Sequence, residues 1–165
     1  RHHVPAAALA MKGRVEPALA GLIEELWRER WGLPIVSVQR EYQPADVEGL
    51  AWREGEEVSG LVTWAVDGDR AEIVSLDAFQ PGRRIGARLM EAAEAELRRR
   101  GVRWLRVVTT NDNHRALGFY VRRGYRLVRL HLDAMDRVRE RKPQVPATGN
   151  EGISLRDMWE LEKVL

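Results

Sequence analysis

From about Glu16 to Arg30 the apolar positions Leu19, Leu22, Ile23, Leu26 and Trp27 recur at helical spacing. The spacing predicts a helix with Pro17 in its first turn, where a missing N–H does no harm, and with Gly32-Leu33-Pro34 as its end. Ile35 to Val38 reads as a short extended stretch. Three strand-like runs follow, Gly49–Arg53, Val58–Val66 and Arg70–Phe79, and Asp67-Gly68-Asp69 joins the last two as a hairpin turn. Residues 86–100 set Leu89, Ala92, Ala93 and Leu97 among charges, an amphipathic helix that stops at Gly101. Val102–Thr110 predicts a buried strand, His114–Arg123 a helix closed by Gly124, and Tyr125–Leu132 another strand. The charged run 133–142 predicts a short helix and Pro143–Gly152 a loop. Ile153–Leu165 predicts a last strand anchored by Leu155, Trp159 and Leu161. This order is α/β with a mixed sheet, and the strand–helix–strand unit over 70–110 is one right-handed parallel crossover.

The chain's 165 residues suit a single domain, expected over 11–165, with residues 1–10 a tag remnant or a truncated start. His2 and His3 therefore receive no metal role. The absence of cysteine excludes a disulfide framework and cysteine-ligated zinc, and no metal is expected. No apolar run approaches the roughly 20 residues of a membrane span and no signal peptide is visible, so a cytoplasmic protein with no membrane partner is expected. Charge changes the picture more. Residues 81–130 hold thirteen arginines and four acids, a local +9 inside a chain of +2. Concentrated guanidinium groups suit an anion such as phosphate, or they merely cover helix and sheet surfaces.

Gln80-Pro81-Gly82-Arg83-Arg84-Ile85-Gly86 lies between a predicted strand and a predicted helix. A glycine-containing turn that opens a helix directs unpaired backbone N–H groups at one spot, and the helix dipole adds partial positive charge. Arg83, Arg84 and Arg88 bring formal charge to the same end. These are the makings of a pyrophosphate cradle.

Downstream, residues 111–127 read NDNHRALGFYVRRGYRL, and here the chain resembles the GNAT superfamily of acyl-CoA-dependent acyltransferases. Residues 74–90, VSLDAFQPGRRIGARLM, are similar to the family's acyl-CoA turn, Arg/Gln-x-x-Gly-x-Gly/Ala before a helix. Asn113-x-x-Ala116-x-x-Phe119-Tyr120-x-x-x-Gly124-Tyr125 resembles its later motif. Aligned on Gly86, the family's Arg/Gln falls on Pro81 and its first glycine on Arg84. The strand that the family has before its first helix is not legible here.

The resemblance implies a GNAT-like fold, a mostly antiparallel sheet with one parallel crossover splayed around the cofactor. It implies that Leu76, Asp77 and Ala78 offer backbone groups to the pantetheine arm and acyl carbonyl. It implies that Arg83, Arg84, Ile85, Gly86, Ala87 and Arg88 hold the pyrophosphate through backbone amides, and that Asn113 bonds the pantetheine arm. Arg122 or Arg123 is a further candidate for a coenzyme A phosphate. Tyr120 falls where a phenol sits near the thioester sulfur and protonates the leaving thiolate. A base must take a proton from the incoming ammonium. Glu72 is the first candidate, because an acidic residue on this strand serves that purpose in part of the family, and it shares a strand face with Val74 and Leu76 under period-two alternation. Asp77, on the opposite face, is the second, and Glu160 the third. His114 reads as a surface helix residue, and Trp52 and Trp64 as core rather than acceptor pocket.

The expected function is N-acetyl transfer from acetyl-CoA, as co-substrate, to a primary amine by direct attack, with no covalent enzyme intermediate. The acceptor is a small amine or a peptide amine, and the segment 133–165 shapes its site or a homodimer contact. A non-catalytic acyl-CoA sensor on the same fold is the alternative. Nucleic-acid binding through the arginine-rich half is the third reading, and no nucleic-acid partner is expected.

Overall fold

Residues 13–38, 40–80 and 83–165 are described by the computed structural model, and the runs with alternating apolar positions pair as strands. Segment 1–10 and the turn residues 81–82 lie outside the described residues. The elements are β1 (Arg14–Pro17), α1 (Ala20–Arg30), β2 (Ile35–Val36), β3 (Glu41–Tyr42), β4 (Glu48–Glu54), β5 (Glu57–Asp67) and β6 (Arg70–Ala78). They continue as α2 (Ile85–Arg99), β7 (Trp104–Thr110), α3 (His114–Arg122), β8 (Arg126–His131), α4 (Ala134–Arg141) and β9 (Met158–Val164). Seven strands form one mixed sheet in the order β1-β4-β5-β6-β7-β9-β8, and β2 pairs with β3 separately. Among the described strands of this sheet only β6 and β7 run parallel, joined by α2. No helix among the described residues is long and apolar enough to cross a membrane.

Two boundaries differ from the expectation. Pro17 is not in the first helix but ends β1, which is the missing N-terminal strand. β1 lies at the sheet edge, where a residue without an N–H is tolerated, and α1 starts at Ala20. The last strand starts at Met158 rather than Ile153. The stretch before it folds on itself, with Leu155 N–H donating to the Ala147 carbonyl and Gly149 N–H to that of Ile153.

Helices cover both faces. Under α2 and α3, Ile85, Leu89, Leu97 and Tyr120 pack on Val62, Leu105 and Leu161, each fully buried apolar side chain contributing about 1.5–3 kcal/mol. On the other face, Ile23 and Trp27 of α1 pack on Leu61 and Tyr42, and Met135 and Val138 of α4 pack on Leu155 and Met158. Gly60 sets how closely α2 can approach the sheet. A Cβ there would stand 2.7 Å from Ile85 and 2.9 Å from Leu89.

Two irregularities shape the centre. Thr63 faces Ser75 while Trp64 faces Ile73, so Val74 is an extra residue on β6. This bulge resets the alternation and corrects the expected faces. Asp77 joins Glu72 on the α1 side, whereas Leu76 packs with Ile73 under α2. The second irregularity is that β6 and β7 pair only from Arg70↔Trp104 to Ile73↔Val107, although both strands continue further.

Candidate active site

Beyond Ile73 and Val107 the two parallel strands part, and a cleft of about 200 Å³ opens between them. Leu76 of β6, Thr109 of β7, Asn113 and Tyr120 of α3, Ser37 and Met158 line it, with Glu72 where the strands begin to separate. The structure thus brings Glu72, Leu76, Asn113 and Tyr120 together on one cleft.

Glu72 is 5% exposed, and its carboxylate accepts hydrogen bonds from Ser37 Oγ at 2.6 Å and Tyr42 Oη at 3.3 Å. Arg106 adds an ion pair. Burial and the Glu72 charge push the Tyr42 phenol up to about 12, so it remains a donor. These three donors leave one of the roughly four lone-pair directions of the carboxylate for a ligand.

Tyr120 is buried under α3, edge-on to Phe119 and Tyr125 at 5.2 and 5.4 Å between ring centroids. Tyr125 is fixed in turn by donating to Glu94 at 2.8 Å. Burial, helped by the charge of Asp77, raises the Tyr120 pKa and keeps the phenol protonated. Among the described residues its hydroxyl has no hydrogen-bond partner. Asp77 accepts from Trp31 Nε1 at 2.9 Å, and burial raises its own pKa against the lowering effect of that bond and of Arg30.

Asn113 caps α3, its Oδ1 accepting from Ala116 N–H at 3.0 Å. The side-chain NH₂ is left for the cleft. Thr109 Oγ1 is buried in the cleft wall with no partner among the described residues.

The N-terminus of α2 is built differently. Arg84 precedes it at φ 58°, ψ 22°, in the left-handed region, and supplies no side-chain cap. The first helical N–H groups, of Ile85, Gly86 and Ala87, have no carbonyl a turn earlier to receive them. The side chains of Ile85 and Ala87 are buried, so only their backbone can meet a ligand. A Cβ on Gly86 would find its nearest neighbours at 3.9–4.0 Å, so nothing in the protein itself requires glycine there. Arg84 and Arg88 are exposed, and Arg88 lies over the Trp52 ring at 5.7 Å. Arg83 is already engaged: its guanidinium pairs with Glu54 at 2.7 Å and holds that carboxyl below the usual carboxylate range. Ala78 is exposed at the end of β6, opposite Gly60.

Several other readings also find their places. Trp52 and Trp64 are core residues under α2, and His114 is exposed, with its ring 5.9 Å from that of Trp159. Glu160 is 1% exposed and paired with Arg129 and His131. Arg123 stacks on Phe119 at 4.5 Å. Among the described residues no three His, Asp or Glu side chains group as metal ligands. Sequence reasoning missed Ser37, Tyr42, Arg106 and Thr109. Arg106 had a signal, a lone charge within the apolar strand WLRVV.

An uncapped helix end, an unpaired strand edge and an orphaned hydroxyl fit an extended ligand with an anionic end. The family model described as "Acetyltransferase (GNAT) family" matches residues 17–125, more than half of the chain. The chain belongs to the GNAT family of acetyltransferases. A relative of this GNAT protein, "Uncharacterized protein YxbD" of Bacillus subtilis (strain 168), is 34% identical over 146 residues, covering 87% of this chain and 92% of the relative. Among solved structures it is similar to an IAA acetyltransferase from Bacillus cereus ATCC 14579, with a TM-score of 0.75 and 18% identity over 93% of this chain and 99% of the other. It is also similar to a GNAT family acetyltransferase from Elizabethkingia anophelis with acetyl-CoA bound, with a TM-score of 0.72 and 16% identity over 94% and 99%. At these identities the structural likeness speaks for the fold. The GNAT pattern of glycine at position 84 gains a physical reason here, since the backbone at Arg84 is left-handed.

Proposed function

We propose that the protein is an N-acetyltransferase that moves an acetyl group from acetyl-CoA to a primary amine by direct attack. The observation that carries this reading is the pairing of a protonated phenol, Tyr120, with a buried carboxylate, Glu72, on one cleft. Acetyl-CoA would supply an activated acetyl thioester. Its pyrophosphate suits the N–H groups of Ile85, Gly86 and Ala87. Its pantetheine amides suit the unpaired edge of β6 at Leu76–Ala78, the Asn113 NH₂ and the Thr109 hydroxyl. As the C–N bond forms and the C–S bond breaks, Glu72 receives the proton lost by the nitrogen. Tyr120 gives its proton to the sulfur. A thiol with a pKa near 8.5 leaves fairly well, so the contribution of Tyr120 is modest. Asp77, turned toward Trp31, remains the second candidate for the base.

The test is calorimetry with acetyl-CoA followed by thiol release across a panel of amines. Micromolar binding with amine-dependent release is expected. Binding with no release from any amine would instead support an acyl-CoA sensor, a reading favoured by Arg84 in the left-handed turn.

A further inference from the structure

A second and larger cavity, about 330 Å³, lies on the α1 face of the sheet and shares Glu72 with the cleft. Its volume is at the small end of ligand pockets, the size of a metabolite rather than of a folded partner. Its charges are ordered by depth. Glu72 and Glu160 are buried at 5% and 1% exposure, bridged by Arg106, which lies 3.8 Å from Glu160. Toward solvent stand Arg40 and Arg70, both exposed. Each lies over an aromatic ring of the pocket wall, Tyr42 at 4.7 Å and Trp104 at 5.4 Å. Neither has a carboxylate partner among the described residues. Arg129 is largely exposed although it pairs with Glu160. Asp67 and Glu162 complete the rim, so the pocket is neutral in sum while separating charge along its depth.

A neutral pocket of this kind has little to hold a simple cation, since Arg106 and Arg129 already compensate its deep carboxylates. It complements a ligand that is itself neutral and carries separated charges. Resting on the acetyltransferase reading above, we infer that the acceptor is a small amino-carboxylate. Its ammonium uses the remaining lone-pair direction of Glu72, and its carboxylate lies among the guanidinium groups of Arg40 and Arg70. Two unpaired planar guanidiniums suit a carboxylate better than a hydroxyl or a hydrocarbon tail. Glu72 stands where cavity and cleft meet, so an amine anchored there faces the thioester side directly.

The experiment takes the protein amino acids, each with its decarboxylated amine and its carboxamide. It measures thiol release from acetyl-CoA and, separately, binding of each compound to the CoA-saturated protein. The expected result is at least one amino acid with kcat/KM about tenfold or more above both of its neutral-tail partners, matched by tighter binding. Arg70→Met and Arg40→Met should raise KM for that amino acid and leave KM for the amine unchanged. If removal of the carboxylate leaves kcat/KM equal or higher throughout, or if no amino acid binds or reacts while acetyl-CoA binds, the inference is overturned. Failure of acetyl-CoA itself to bind would overturn the acetyltransferase reading on separate grounds.

Discussion

The ammonium of Lys142 donates to the backbone carbonyl of Trp31 at 2.6 Å, joining the end of α4 to the end of α1 across 111 positions of sequence. It also donates to the Pro34 carbonyl at 3.0 Å. Burial pulls its pKa below the ordinary lysine range, and no carboxylate among the described residues offsets that burial. The segment so pinned carries Trp31, Ile35, Val36 and Ser37, which form one side of the cleft. Lys142→Met should therefore loosen residues 31–37 without unfolding the sheet. Hydrogen exchange should show faster exchange at these amides and unchanged protection in β5.

Arg84 holds a left-handed backbone that glycine adopts without a steric penalty. Arg84→Gly should stabilise the protein by about 1 kcal/mol in chemical denaturation, whereas Arg84→Ala, still bearing a Cβ, should change little.

Asp77 has a folded pKa above its unfolded value, so it favours folding only while protonated. That contribution is complete below the unfolded value of roughly 3.9 and is lost as pH rises through the raised folded value. Asp77→Asn keeps an acceptor for Trp31 and removes the half-buried charge. The variant should have a higher Tm than the parent at neutral pH, with the gap closing below about pH 4.

Asn113 has two separable duties. Asn113→Ala should cost about 1 kcal/mol through loss of the α3 cap. Asn113→Asp should retain the cap, and so the stability, but lose the NH₂ donor. Under the proposed function it should weaken acetyl-CoA binding in calorimetry.

Tyr120→Phe removes only a hydroxyl from a packed aromatic cluster. Under the proposed function, a kcat lower by roughly tenfold to a hundredfold, with KM for acetyl-CoA nearly unchanged, is expected from loss of an acid facing a good leaving group. Steady-state kinetics with a working acceptor would check it.

Much of the fold was legible because alternation and helical spacing report burial directly. The hairpin at Asp67–Asp69 and the helices from Ile85 and His114 fell within a residue or two of expectation. β1 was hidden because four residues of an edge strand carry too little pattern, and Pro17 is equally at home in a helix's first turn. The face of Asp77 was misread because a bulge is a pairing event: nothing in Ile73-Val74-Ser75 announces that β5 offers two partners to three residues. By composition the arginine-rich stretch suits an anion, but much of it is spoken for. Arg83, Arg99, Arg100, Arg106 and Arg129 each meet a glutamate, several of them far away in sequence. Ser37 and Tyr42 come to Glu72 from a separate short hairpin, a meeting that only tertiary structure creates.

The early parting of β6 and β7 has a consequence for how this protein can change. Past Ile73 and Val107, the edge that each strand turns to the other carries amides and carbonyls with no strand opposite, and these groups are the same whatever side chain is attached. Recognition written in main chain is indifferent to most substitutions, so positions such as Leu76 can drift in sequence while the groove keeps its donors and acceptors. The pocket beyond Glu72, proposed above for the acceptor, is written in side chains instead. Under the proposed function, a lineage of this protein could thus exchange one acceptor for another by altering a few arginines, without disturbing the half of the site assigned to the acyl donor.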